Sequence, residues 1–167
     1  MSFEALIQTM DELNEVHSNL LELAEQKKHV LIHNDVDQLT QIVGKETKVM
    51  KRIGELDEQR IEAIGRFLIE KGYKPNPRVT ISDLTKIIFN IDDKKLLLES
   101  QKQLLGTIRE LREKNRLNQQ LIEHSIKYID YSLDLIAGPP LDEVVYHNPQ
   151  HQISANMKPN RRFDTRA

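Results

Sequence analysis

The 167-residue sequence contains no cysteine and no tryptophan. Without cysteine there is no disulfide, no zinc–thiolate site and no thiol nucleophile, which fits a reducing compartment. Aromatic residues make up only 5% of the chain, against 38% hydrophobic and 30% charged residues. That balance suits helices with narrow apolar stripes better than a sheet core. The chain has six glycines and six prolines, and the prolines cluster near the middle and the end, leaving long unbroken stretches. The first residues, Met1 to Leu6, offer neither a basic nor an apolar segment of the kind a secretory signal needs. No apolar run approaches the roughly 20 residues that span a bilayer. The expectation is a soluble, cytoplasmic protein with no membrane insertion. Formal net charge is -2, with Lys and Arg interleaved among Asp and Glu. No one-sided basic face is expected before the C-terminal tail, so nucleic acid is not an expected partner.

Catalytic signatures are missing too. There is no glycine-rich phosphate loop, no G-x-S-x-G and no H-E-x-x-H. His29 and His33 share a helical spacing of four, but no third ligand lies nearby; these and the tail pair His147 and His151 read as surface residues. Glu46 falls in an apolar stripe, and pairing with Arg60 explains it better than general-base work. The chain is read as a non-enzyme with no cofactor and no metal site.

What is present is helical periodicity. Leu6, Met10, Leu13, Val16, Leu20, Leu23 and Val30 recur at helical spacing over about 3–32. After His33-Asn34, Asp35 with Gln38 resembles a capping box that restarts the chain. A second stripe, Leu39, Val43, Met50, Ile53, Leu56, Ile64 and Phe67, predicts a helix over 36–71, with Gly72 at its C-terminal cap. The short connection makes these two helices antiparallel neighbours. Pro75 and Pro77 interrupt the pattern. A short helix at 82–89, capped by Thr80 or Ser82 and carrying Leu84, Ile87, Ile88 and Phe89, is read as a crossover. A long helix over 92–136, roughly 65 Å at 1.5 Å per residue, ends at Gly138-Pro139-Pro140. The fold class is therefore all-α: an antiparallel bundle, or coiled coil, of three main helices in residues 1–137, with a flexible tail over 138–167.

The long helix carries the most information. Steps of four and three from Leu97 pass through Gln101, Leu104, Ile108, Leu111, Asn115, Asn118, Ile122, Ser125, Ile129, Ser132 and Ile136, a continuous heptad seam. The seam is mostly aliphatic in its first half and alternates with Asn and Ser in its second. Either the asparagines pair with neighbouring helices, at Glu46 or Arg60, or this half is not permanently buried. Leu117, Leu121, Tyr128 and Leu135 widen the apolar face beside the seam. A face that wide, left uncovered, marks a surface for another protein.

The run Asn115-x-x-Asn118-x-x-Leu121-Ile122-x-x-Ser125-x-x-Tyr128-Ile129-x-x-Ser132-Leu133-x-Leu135-Ile136 resembles the C-terminal helix of FlgN-type flagellar export chaperones. The segment order matches as well. The resemblance implies a cytoplasmic chaperone for flagellar type III export. It would bind the C-terminal helical segments of the hook-associated proteins FlgK and FlgL, prevent premature assembly and deliver them to the export gate. The client-binding residues carried over are Asn115, Leu117, Asn118, Leu121, Ile122, Ser125, Tyr128, Ile129, Ser132 and Leu133. Tyr146 is assigned to docking on the export-gate protein FlhA, although His147 stands where the family pattern places glycine. The alternative reading is a structural scaffold in which the long helix makes a permanent homodimer.

Overall fold

A computed structural model describes residues 2–138 and, among them, four helices and no strand: α1 (Ser2–His33), α2 (Val36–Glu70), α3 (Ile81–Ile87) and α4 (Ile91–Ala137). The tail beyond Gly138, with Tyr146, His147 and His151, lies outside the described residues. The chain divides into two compact units, 1–126 and 127–167.

Each break between helices has a local cause. Asn34 adopts the left-handed conformation (φ 53). The Asp35 and Asn34 amides then turn back to the carbonyls of Val30 and Leu31 at 3.2 and 3.4 Å. Asp35 immediately caps α2, accepting from the Gln38 amide at 3.0 Å; this is half of the expected capping box. Gly72 (φ 79) ends α2 the same way, with the Tyr73 amide on the Leu68 carbonyl at 2.8 Å. Of the two candidate caps for α3, Thr80 is used, in a full capping box with Asp83. Phe89 falls outside α3 and is 92% exposed. Asn90 caps α4, its side-chain oxygen accepting from the Asp92 and Asp93 amides at 2.9 and 3.3 Å.

Polar pairs give the helix directions. Between α1 and α2, Ser2 meets Glu70, Glu12 meets Arg52 at 2.8 Å, and Lys27 meets Glu46 at 3.0 Å, so the two run antiparallel. Between α1 and α4, Asn14 meets Ser100 and Glu25 meets Lys114, so these run parallel. The crossover through α3 permits this by carrying the chain back to the starting end. One core joins all four helices, with Leu6, Met10, Leu13, Leu56, Leu84 and Leu97 fully buried. Each such side chain contributes about 1.5–3 kcal/mol of burial. A smaller cluster of Leu23, Val30 and Ile42 closes the α1–α2 turn.

Two sequence expectations on α2 are corrected. Val43 and Met50 are 44% and 54% exposed; Ile42 and Val49 take the inward positions. The buried row Ile42, Ile53, Leu56, Ala63 and Phe67 follows one four–three register, and Val43 and Met50 sit one residue off it. Glu46 and Arg60 do not pair with each other. Being 14 residues apart on one helix, they are separated by roughly 21 Å. Glu46 takes Lys27 instead, and Arg60 takes Asp57 at 3.4 Å.

Candidate functional site

Along α4 of the first unit, burial recurs every seventh residue at Leu97, Leu104, Leu111 and Asn118. The alternate seam positions are progressively less covered: Gln101 and Ile108 are half-buried and Asn115 is exposed. The Nδ2 of Asn14 donates to the Ser100 carbonyl at 3.2 Å and to its hydroxyl at 3.0 Å. The Nδ2 of Asn118, a residue only 2% exposed, donates to the Ala24 carbonyl at 2.9 Å. Both asparagine Oδ1 atoms are buried without a partner, which weakens the α1–α4 contact relative to an all-apolar one. Nearby, the Lys114 ammonium hydrogen-bonds Glu25 and holds its carboxyl below the ordinary carboxylate value, with partial desolvation opposing.

The residues carried over from the family resemblance fall into distinct environments. Asn118 is a bundle residue, and neither asparagine pairs with Glu46 or Arg60. Asn115 is exposed, Leu117 is 37% exposed, and Leu121, Ile122 and Ser125 are half-buried. Within the second unit, Tyr128, Ile129 and Leu133 are 70%, 55% and 54% exposed, and Ser132 is half-buried. Tyr131, Leu135 and Ile136, which the resemblance did not assign, are also exposed. Seven consecutive α4 residues, 130–136, thus include four large exposed apolar or aromatic side chains. Single exposed hydrophobics need no explanation, but a contiguous set does.

His33 rests its Nδ1 2.7 Å from the His29 carbonyl, and the His29 ring lies 3.7 Å from Glu25. Among the described residues, no group of three His, Asp or Glu is placed to hold a metal. No helix among them is long and apolar enough to cross a membrane.

The family model described as FlgN protein matches residues 1–152. A relative, the uncharacterized protein YvyG of Bacillus subtilis (strain 168), is 29% identical over 136 residues, covering 81% of each chain. No solved structure matches. A match across most of the chain places this all-helical protein in the FlgN family, a family of flagellar export chaperones.

Proposed function

We propose that the chain binds the C-terminal helical segments of the hook-associated proteins FlgK and FlgL in the cytoplasm and holds them until export. The observation that supports this reading is the exposed apolar series Tyr128, Ile129, Leu133, Leu135 and Ile136 on one helix. A client helix built for filament assembly is apolar on one face and self-associates unless that face is covered. Helix-on-helix docking covers it through side chains at spacings of three and four. Ser132 belongs with that series in the second unit; in the first unit Asn115, Leu117, Leu121, Ile122 and Ser125 are the further residues proposed to meet the client. Small serines let a second helix approach closely. Asn118, buried with its Nδ2 on the Ala24 carbonyl, is left out of the proposed contact. Delivery to FlhA through Tyr146 belongs to the same proposal.

Calorimetry with the last 40 or so residues of FlgK or FlgL tests it. Saturable one-to-one binding, lost in Ile129→Asp and Leu133→Asp, is the expected result. Both positions are exposed, so thermal melting of these variants should match the parent. Absence of binding, together with an obligate dimer that the same changes dissociate, would instead establish the homodimeric scaffold.

A further inference from the structure

Within the first unit, α4 carries a second four–three row on a different face from its buried one. The row reads Ile91, Lys95, Leu98, Lys102, Leu105, Arg109, Arg112, Arg116, and every member is exposed. At 100° per residue these side chains share one face, turned well away from Leu97, Ser100 and Leu104, which are buried. Ile91, Leu98 and Leu105 are 80%, 42% and 44% exposed and stand seven residues apart. Lys94 flanks the row. A shallow groove of about 390 Å³ is lined by Ile91, Leu98, Glu99 and the stems of Lys94, Lys95 and Lys102. Two carboxylates border the row. Glu99 reaches Lys95 only at 4.0 Å, and Glu113 is taken by Arg116. Among the described residues, Lys94, Lys102, Arg109 and Arg112 form no ion pair. The row itself carries only cations and aliphatics, with Glu99 and Glu113 beside it.

We infer that this face is a second docking surface, separate from the apolar residues of 128–136, and that its occupant is an acidic helical segment of another protein with one aliphatic residue per heptad. Two features select that chemistry. The cations favour a negative partner, and among the described residues Lys94, Lys102, Arg109 and Arg112 have none. The seven-residue repeat of aliphatic side chains is a register that a second helix reads. An anionic bilayer reads no register and needs a wider apolar sector than a single aliphatic position between cations. For nucleic-acid phosphates the aliphatic repeat would be idle.

Two synthetic helices of about four heptads test this against the full chain: one with leucine every seventh residue flanked by glutamate, and its glutamate-to-lysine counterpart. Fluorescence anisotropy should show binding of the acidic helix alone, at least about tenfold weaker at high salt, where exposed charges are screened. Lys102→Glu/Arg109→Glu/Arg112→Glu should abolish binding, and Leu98→Ser/Leu105→Ser should weaken it several-fold. Both variants change exposed residues and should keep the parent's melting curve. Both should also keep their affinity for the FlgK and FlgL segments, which separates this proposal from that one. The inference is overturned if the acidic helix does not bind, or if it binds equally after either set of changes. It is equally overturned if phosphatidylserine vesicles, duplex DNA or a second copy of the chain occupies the face more tightly and is displaced by the triple charge reversal.

Discussion

Leu104 and Leu133 are the same residue type on the same helix, yet one is 7% exposed and the other 54%. Around Leu104 the buried row Leu97, Leu104, Leu111 is answered by apolar residues of the other helices in one core. Around Leu133 the neighbours Tyr131, Leu135 and Ile136 are exposed with it. An amphipathic pattern specifies a face that can be buried; whether it is buried depends on a partner. The contrast divides α4 into a stretch that stabilises the fold and one whose apolar side chains are exposed. Substitution can break or sharpen that division.

The largest effect is expected in the buried row. Leu97→Ala removes a fully buried side chain and should cost about 2–5 kcal/mol in urea unfolding. If Leu97→Ala and Leu133→Ala cost the same, the division is wrong. Asn118→Ala should come next, losing about 1–3 kcal/mol through the bond to the Ala24 carbonyl and the space the amide fills. Client affinity should be unaffected; a selective loss of binding with unchanged stability would return Asn118 to the client surface. Thr80→Ala, which removes the capping box of α3, should cost about 1 kcal/mol by thermal melting and leave both proposed surfaces intact.

A smaller effect is expected from pH. The Lys114 hydrogen bond depresses the Glu25 carboxyl below its ordinary 4.5. A depressed carboxylate stabilises the fold above the ordinary value, and that stabilisation is lost as pH falls through the lower folded value. Melting curves followed downward from neutral pH should therefore fall below pH 4.5, and Glu25→Gln should flatten part of that decline. The smallest stability change belongs to Leu133→Ala, expected within about 0.5 kcal/mol of the parent while client binding weakens. That combination would mark the second-unit residues as surface held for a partner.

Much of this arrangement was legible before any coordinates. Leucines at helical spacing, Pro75 and Pro77, Asp35 and Gly72 all act over one or two turns, where local geometry dominates. The apolar width of α4 over 115–136 follows from spacing alone, but spacing does not say that Asn118 is buried while Tyr128, Ile129 and Leu133 are exposed. The misreadings were of phase and pairing. Val43 and Met50 lie one residue from the inward row of α2, a small rotation that many short, similar aliphatic side chains do not disclose. Glu46 stood out correctly as a charge in a seam, but its partner, Lys27, lies on another helix. The basic row from Ile91 to Arg116 does not show in the order of charges along the chain; it emerges only when residues are placed around the helix in steps of four and three.

By itself, the sequence determined the helices, their ends and the apolar stripe of each, because hydrogen bonding within a helix, capping and 100° periodicity are local. Only the tertiary structure decided which stripe positions are covered. Asn118 became a bundle residue because α1 brings the Ala24 carbonyl to it. Leu98 and Leu105 stayed outside because the core takes the opposite side of α4. Burial is a property of pairs of surfaces, and one strand of residues states only half of each pair.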